Sequence, residues 1–414
     1  MTTAPAKKST PLPISYDDVL AAVARIKDIL PPTPAEYSEV LSELVGSEIY
    51  LKFEIFHHTA SFKERGALNK LLSLSASQRK RGVIAASAGN HAQGVAFHAG
   101  RLGIPATIVM PKDTPFTKVK RTEVLGAEIV LAGKTFGEAM AEAKRLEAAK
   151  NLTFIPTFDD PLIMAGHGSA ATEFLGKFPG LDILVVPVGG GGLISGMAVA
   201  AKAINPKIRI YGVQSEVFPS MKAALEGKTI EPKHQTVAEG IAVQEPGELT
   251  RQVVAALVDD ILIVTETRIE AAINTFIEVE KVVVEGAGAA TLAAVMQYPE
   301  LFKGKKTGLI LSGGNIDPKI LAYSLMRGLA RDGRVSRLRV TTPDLPGSLA
   351  KLTAIVAEHG GNVIEVYHQR QFADIALKYT NIELVVETKD ARHTDLIVKA
   401  MEGEGFKVHR KPLT

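Results

Sequence analysis

Short apolar runs recur along the first three quarters of this chain, each followed by a stretch with helical spacing. Gly82-Val-Ile-Ala-Ala86, Ala106-Thr-Ile-Val-Met110, Glu128-Ile-Val-Leu131 and Leu152-Thr-Phe-Ile155 form one series. Ile183-Leu-Val-Val-Pro187, Ile208-Arg-Ile-Tyr-Gly-Val213, Asp260-Ile-Leu-Ile-Val264 and Gly308-Leu-Ile-Leu311 form a second. Runs this short and this apolar are strands buried on both faces, and the helical stretches between them (92–102, 116–125 and 135–150) supply the crossovers of a parallel sheet. Ile49-Tyr-Leu-Lys-Phe-Glu54 alternates instead, as a half-buried strand does. The chain is therefore read as α/β with two lobes, and a ligand is expected where the strands end at their carboxyl termini.

Composition narrows the function. Charged residues are 22% of 414, hydrophobic residues 46%, and the formal net charge is +3, with no dense basic block. That balance gives no reason to expect nucleic acid or a membrane surface as partner. Cysteine is absent, which excludes disulfides, thiolate-bound zinc and thiol nucleophiles and fits the cytoplasm. No apolar stretch reaches the ~18 residues of a membrane span. Residues 1–15, rich in Pro, Thr and Lys, are expected to form a frayed tail without a secretory signal.

The last eighty or so residues differ in character. Residues 335–342 alternate like a strand, Asp344-Leu-Pro-Gly347 is a turn, and 348–359 is helical with Ser348 as expected N-cap. Gly360-Gly361 ends that helix, and strand 362–370, strand 381–388, helix 394–402 and strand 406–410 follow. The order βαββαβ is that of a ferredoxin-like module. The basic stretch 327–339 reads as a solvated junction.

Four segments carry the chemistry. Ser61-Phe-Lys-Glu-Arg-Gly-Ala67 holds Lys63 at an element boundary, where apolar neighbours lower an amine's pKa and make it nucleophilic toward a carbonyl cofactor. A lysine in the first turn of an exposed helix is the commoner case, so the motif alone decides little. Gly189, Gly190, Gly191, Gly192 and Leu193 lie between a buried strand and a helix, and their N–H groups converge on one point that suits a phosphate. No Gly-Lys-Ser/Thr ending and no G-x-G-x-x-G spacing is present, which disfavours a nucleotide. Ser87-Ala88-Gly89-Asn90-His91 follows a strand and opens a helix; it caps that helix and offers donors to a substrate carboxylate. Ser312, in Ser-Gly-Gly-Asn-Ile-Asp317, ends another strand and suits a ring nitrogen.

Taken together, these segments resemble the fold-type-II pyridoxal phosphate enzymes (tryptophan synthase β-like), and within them the threonine dehydratases that end in one ACT domain. The resemblance runs from about residue 32 to 406. It implies pyridoxal 5'-phosphate as cofactor, Lys63 as its Schiff-base lysine behind the aromatic Phe62, and Asn90 at the ring's 3′ oxygen. It further implies residues 189–193 at the phosphate, Gly240 of Ala238-Glu-Gly-Ile-Ala242 beside the ring, and Ser312 at the pyridine nitrogen. Substrate falls to Ser87, Ala88, Gly89, Asn90 and His91. The effector turn falls to Asp344 and Gly347 with Asn362. The implied lobes are 1–57 with 158–330 (larger) and 58–157 (smaller), followed by an ACT-like domain over 331–414. The implied reaction is β-elimination of L-threonine to 2-oxobutanoate and ammonia, with L-serine giving pyruvate, in a homodimer or homotetramer answering to an amino acid or nucleotide.

Departures from the family pattern are specific. In Asp159-Asp-Pro-Leu-Ile-Met-Ala-Gly-His-Gly168, His167 replaces a glutamine, and Ser169-Ala-Ala-Thr-Glu173 replaces T-I-A-L-E. His57-His58 is unusual; on an extended segment the two point to opposite faces, which suits a surface or pocket-rim role better than a metal. Serine racemase shares most of the motifs but carries a serine where Ala88 stands, so elimination is favoured over racemisation. A non-catalytic amino-acid sensor built on the ACT domain is a second alternative, disfavoured by the intact Lys63, Asn90 and Ser312. Gln214 stands where metal-dependent relatives have a glutamate, and no divalent cation is expected, with Glu216 the nearest substitute ligand.

Overall fold

The computed structural model describes residues 11–232, 234–369 and 376–411. The chain forms two compact units, Met1–Ile316 and Asp317–Thr414. Among the described residues of the first, ten strands follow in order: β1 Ala35–Ser38, β2 Glu48–Phe53, β3 Val83–Ala86, β4 Ala106–Met110, β5 Glu128–Leu131, β6 Thr153–Phe154, β7 Ile183–Pro187, β8 Arg209–Ser215, β9 Asp260–Val264 and β10 Lys306–Leu311. They make a six-stranded sheet ordered β1-β2-β10-β7-β8-β9 and a four-stranded sheet ordered β5-β4-β3-β6. Every pairing is parallel except β1 on β2. Strands β3, β4 and β7 are buried at every residue, as apolar runs between covering helices must be.

This topology positions the site. The segments leaving the carboxyl ends of β2, β3, β7 and β10 are those that carry Lys63, Ser87, the glycine run and Ser312. Two helices lie beneath them. Pro161–Lys177 starts on Asp160, whose Oδ1 accepts from the N–H groups of Leu162 and Ile163, with proline at its first position. It packs on Gly192–Ile204, where a Cβ at Gly196 would collide with the Met164 carbonyl, so only glycine allows that approach.

The second unit begins with helix Pro318–Arg331, capped by Asp317. Strands β11 Val335–Pro343, β12 Asn362–Gln369, β13 Tyr379–Glu387 and β14 Lys407–Lys411 form an antiparallel sheet ordered β12-β13-β11-β14. Helices Ser348–Glu358 and Ala391–Gly403 join its core of Leu338, Val340, Leu352, Val356, Ile382, Leu384, Ile397 and Met401. This is the ferredoxin-like module.

Several sequence expectations need correction. Stretch 327–339 is no solvated linker: it is the end of helix Pro318–Arg331 and the start of β11, and Arg337 and Arg339 both pair with Glu383. Ser348 is not the N-cap. Gly347, at φ +89°, holds that place, and the Ser348 hydroxyl donates to the Pro343 carbonyl. The helix after Ser87 likewise starts at Asn90 on Gly89 with no side-chain cap. Of the expected tail, 1–10 lie outside the described residues, while Ser15 forms a reciprocal capping box with Asp18 and Ile14 is buried. Arg370, expected to end β12, also lies outside them.

Candidate active site

Lys63 is the first residue of helix Lys63–Leu72, and the segment before it is pinned by backbone bonds. Phe62 N–H donates to Ser312 O, Gly314 N–H donates to Ala60 O, and Ser61 bridges Gly313. Ala60 turns the chain at φ +53°, a left-handed conformation that alanine adopts at a cost of roughly 1 kcal/mol. The loop after β2 is thus fastened to the loop after β10. Lys63 is left half-buried, and its Nζ donates to Thr157 O at 3.0 Å. Loss of hydration lowers its pKa from 10.5 to about 8, against an opposing pull from Glu285.

The cavity it faces has a volume of about 1010 Å³. Phe62, Lys63, Ser87, Ala88, Gly89, Asn90, His91, Gly189–Leu193, Gly240 and Ser312 all line it, so one wall or another holds every residue singled out for cofactor and substrate. The glycine run cannot carry side chains. A Cβ at Gly189 would lie 3.1 Å from Ile241 Cα, one at Gly190 would enter the Phe158 ring, and Gly191 sits at φ +94° as N-cap of helix Gly192–Ile204. The start of that helix therefore presents N–H groups that have no intrahelical acceptor. His91 is buried and held well below its usual range, near 3, by burial and by the nearby Lys63 charge; its Nε2 donates to Ile155 O at 3.0 Å.

Three features were not legible beforehand. Glu285, just before the Gly-Ala-Gly start of helix Gly286–Gln297, lines the cavity and accepts from Asn90 Nδ2 at 2.8 Å. Burial raises its pKa to about 7, and Glu239 adds to the effect. Asn315 completes the set by donating to Asn90 Oδ1 at 2.9 Å, which fixes the Asn90 amide from both ends. The second is a buried ion cluster under the lysine helix. Arg65 Nε donates to Glu54 at 2.6 Å, and Nη1 and Nη2 to Glu173 at 2.6 and 2.7 Å. Burial pushes the Glu54 carboxyl up, yet Arg65 and His57 hold it well below the usual range. The third is an ion pair at the cavity wall, where Glu239, which lines it, pairs with Lys118 at 2.5 Å. The only advance signal for Glu285 was an acid placed before an Ala/Gly-rich helix start.

The histidines divide. His57 is buried against Glu54 at 3.1 Å, contrary to a surface or rim role, whereas exposed His58 stacks on Phe97. Gln214 is buried, and its amide bonds to Val188 O, Ser220 Oγ and Lys222 N–H. Asp344, Gly347 and Asn362 belong to the second unit. Its register sets Asn362 beside Glu387 and Val335 at one end of the sheet, whereas the 344–347 turn follows Pro343 at the other. One copy of the module does not bring them together.

A half-buried amine of lowered pKa, a side-chain-free helix start and an amide fixed in place define a fold-type-II cofactor enzyme. The chain belongs to the pyridoxal-phosphate dependent enzyme family, whose model matches residues 26–313, and an ACT domain matches 336–405. Among curated relatives, the L-threonine ammonia-lyase of Thermotoga maritima is 44% identical over 95% of this chain and 99% of its own length. Threonine deaminase isoform 2 of Solanum lycopersicum superposes with a TM-score of 0.71 at 35% identity, covering 79% of this chain and 92% of that one. Maize serine racemase gives 0.72 at 35% identity, covering 77% and 98%.

Proposed function

We propose that this chain is an L-threonine ammonia-lyase, converting L-threonine to 2-oxobutanoate and ammonia, and L-serine to pyruvate and ammonia. The observation that carries the reading is Lys63: a half-buried amine with a pKa near 8, facing a cavity walled by a bare-glycine helix start. When bound, pyridoxal phosphate draws electrons from the substrate's α-carbon, so that its proton and then the β-hydroxyl can leave. The N–H groups of 189–193 would hold its phosphate, Asn90 its ring oxygen, Ser312 its ring nitrogen, and Gly240 would leave room beside the ring. The Ser87–His91 segment would receive the substrate carboxylate. Lys63 Nζ, uncharged in an appreciable fraction near pH 8, takes the α-proton. Glu285 holds Asn90 in place, and neutral His91 adds no charge beside the amine.

Elimination is favoured over racemisation because Ala88 offers no second acid or base. A relative matched over almost the full length is an L-threonine ammonia-lyase. The ACT unit supports an amino-acid effector, bound by the 344–347 turn of one copy and Asn362 of another in a homo-oligomer. Antiparallel pairing of two β12 edges would bring those opposite ends together. Among the described residues no helix is long and apolar enough to cross a membrane, and we place the enzyme in the cytoplasm. Incubation with L-threonine and L-serine separately, with chromatography of oxoacids and of serine enantiomers, tests the reading. Oxoacid with equimolar ammonia is expected; D-serine formed as fast as pyruvate would contradict it.

A further inference from the structure

The departure at His167 leaves a buried, titratable side chain that the reaction does not use. Its ring is fully buried on helix Pro161–Lys177, and neither Nδ1 nor Nε2 has a hydrogen-bond partner. A Cβ at Gly66 would run into His167 Cε1 at 2.5 Å and Nε2 at 2.9 Å, so the imidazole fills the notch that this glycine leaves in the lysine helix. On its other side it meets the Phe62 ring edge-on, with centroids 4.7 Å apart and planes at 67°. The Lys63 amine lies 4.9 Å from the centroid of that same phenyl ring. Imidazole, phenyl and amine thus form a continuous row.

Burial keeps the imidazole neutral, and the Lys63 and Arg65 charges on the lysine helix add to it; Glu54 alone favours the proton, and His167 stays well below its usual range. A neutral imidazole retains one N–H, and a buried N–H lacking an oxygen acceptor finds its best partner in an aromatic face. Phe62 also works on the lysine in two opposed ways. Its face attracts an ammonium, and its bulk excludes water from the amine. Burial lowers Lys63 from 10.5 to about 8, and Phe62 is one of the groups packed against the amine.

We propose that His167 is a positioning residue for Lys63, bracing the Phe62 ring in the place from which it shields the amine. This rests on Lys63 being the cofactor lysine, but its test reads the amine itself. In the full-length chain freed of cofactor, reductive methylation across a pH series, followed by peptide mass spectrometry, gives the midpoint for Lys63. His167→Leu keeps the bulk and removes the N–H; its midpoint should rise by about half a pH unit, a threefold change in proton affinity. His167→Gln keeps a neutral donor and should stay within about 0.2 of the parent. Unchanged midpoints in both variants would make His167 a space-filler and overturn the proposal. If His167→Leu fails to fold, Phe62→Leu replaces it: the rise of about half a pH unit should appear there, and an unchanged midpoint would overturn the proposal. Failure of the cofactor assignment shows separately, as a Lys63→Ala chain that still binds pyridoxal phosphate covalently.

Discussion

Replacing Arg65 with methionine should destabilise the first unit in a way that depends on pH. The guanidinium is fully buried and makes charge-assisted bonds to Glu54 and Glu173. Methionine matches much of its length, so the main loss is electrostatic. Glu173 keeps Lys52 at 2.6 Å and a fifth of its side-chain surface, and it can stay ionised. Glu54 is fully buried, with Lys52 at 3.9 Å and His57 as remaining partners, and it will take up a proton instead. Holding a carboxyl of ordinary pKa 4.5 protonated costs about 3.4 kcal/mol at pH 7 and about 1.4 kcal/mol at pH 5.5. Those figures bound the penalty from Glu54.

The sign follows from the variant's raised carboxyl, which keeps in the fold a proton that the unfolded chain sheds above pH 4.5. Stability of Arg65→Met relative to the parent should therefore fall as pH rises. Urea unfolding of the full-length, cofactor-free chains, followed by circular dichroism since tryptophan is absent, should give a difference of about 3 kcal/mol at pH 7. The difference should roughly halve at pH 5.5, and Glu54→Leu in the same chain should recover most of it. A loss below about 1 kcal/mol at pH 7, or one independent of pH, would refute the buried-cluster argument.

Gly190→Ala places a methyl inside the Phe158 ring and should weaken pyridoxal phosphate binding at least about tenfold, read by absorbance titration; unchanged affinity would show that the glycine run is not the phosphate cradle. His91 and His167 are buried neutral, so native stability should fall below pH 6.5 by about 1.4 kcal/mol per pH unit for each, continuing toward 3 for His91. His167→Gln should remove about half of that slope near pH 6, and an unchanged slope would mean that His167 titrates normally. Ala88→Ser should raise D-serine formation from L-serine by about tenfold or more without abolishing oxoacid production, measured by chiral chromatography. No rise would place the opposite-face acid or base elsewhere.

Buried strands were the most legible part of the fold. Strands β4, β7 and β9 were read to the residue, because an apolar run between helices has one stable use; β5 was read to the residue too, but as a buried strand, whereas it is a sheet edge with no fully buried residue. Helix starts were read less well where glycine opens them: Gly89 and Gly347 carry no side chain to cap with, so nearby serines drew the assignment. Ser87–His91, the glycine run and Ser312 were legible because each sits just beyond a strand's carboxyl end, where parallel topology gathers them, whereas Gly240 was legible only through the family resemblance. Arg65, Glu54 and Glu173 were not, since charge in a sequence reads as surface. Only the packing of helices Lys63–Leu72 and Pro161–Lys177 against the end of β2 closes those three into one buried cluster. Stretch 327–339 misled for the same reason, two of its arginines, Arg337 and Arg339, pairing with Glu383 of a neighbouring strand.

The central claim is that Lys63 is the residue to which the cofactor attaches. Borohydride treatment of the pyridoxal-phosphate-loaded enzyme, followed by digestion and peptide mass spectrometry, tests it directly. The phosphopyridoxyl mass should appear near one equivalent per chain on the peptide containing Ser61-Phe-Lys63, and be absent from Lys63→Ala. Stable label on another lysine, or on none, would contradict the account.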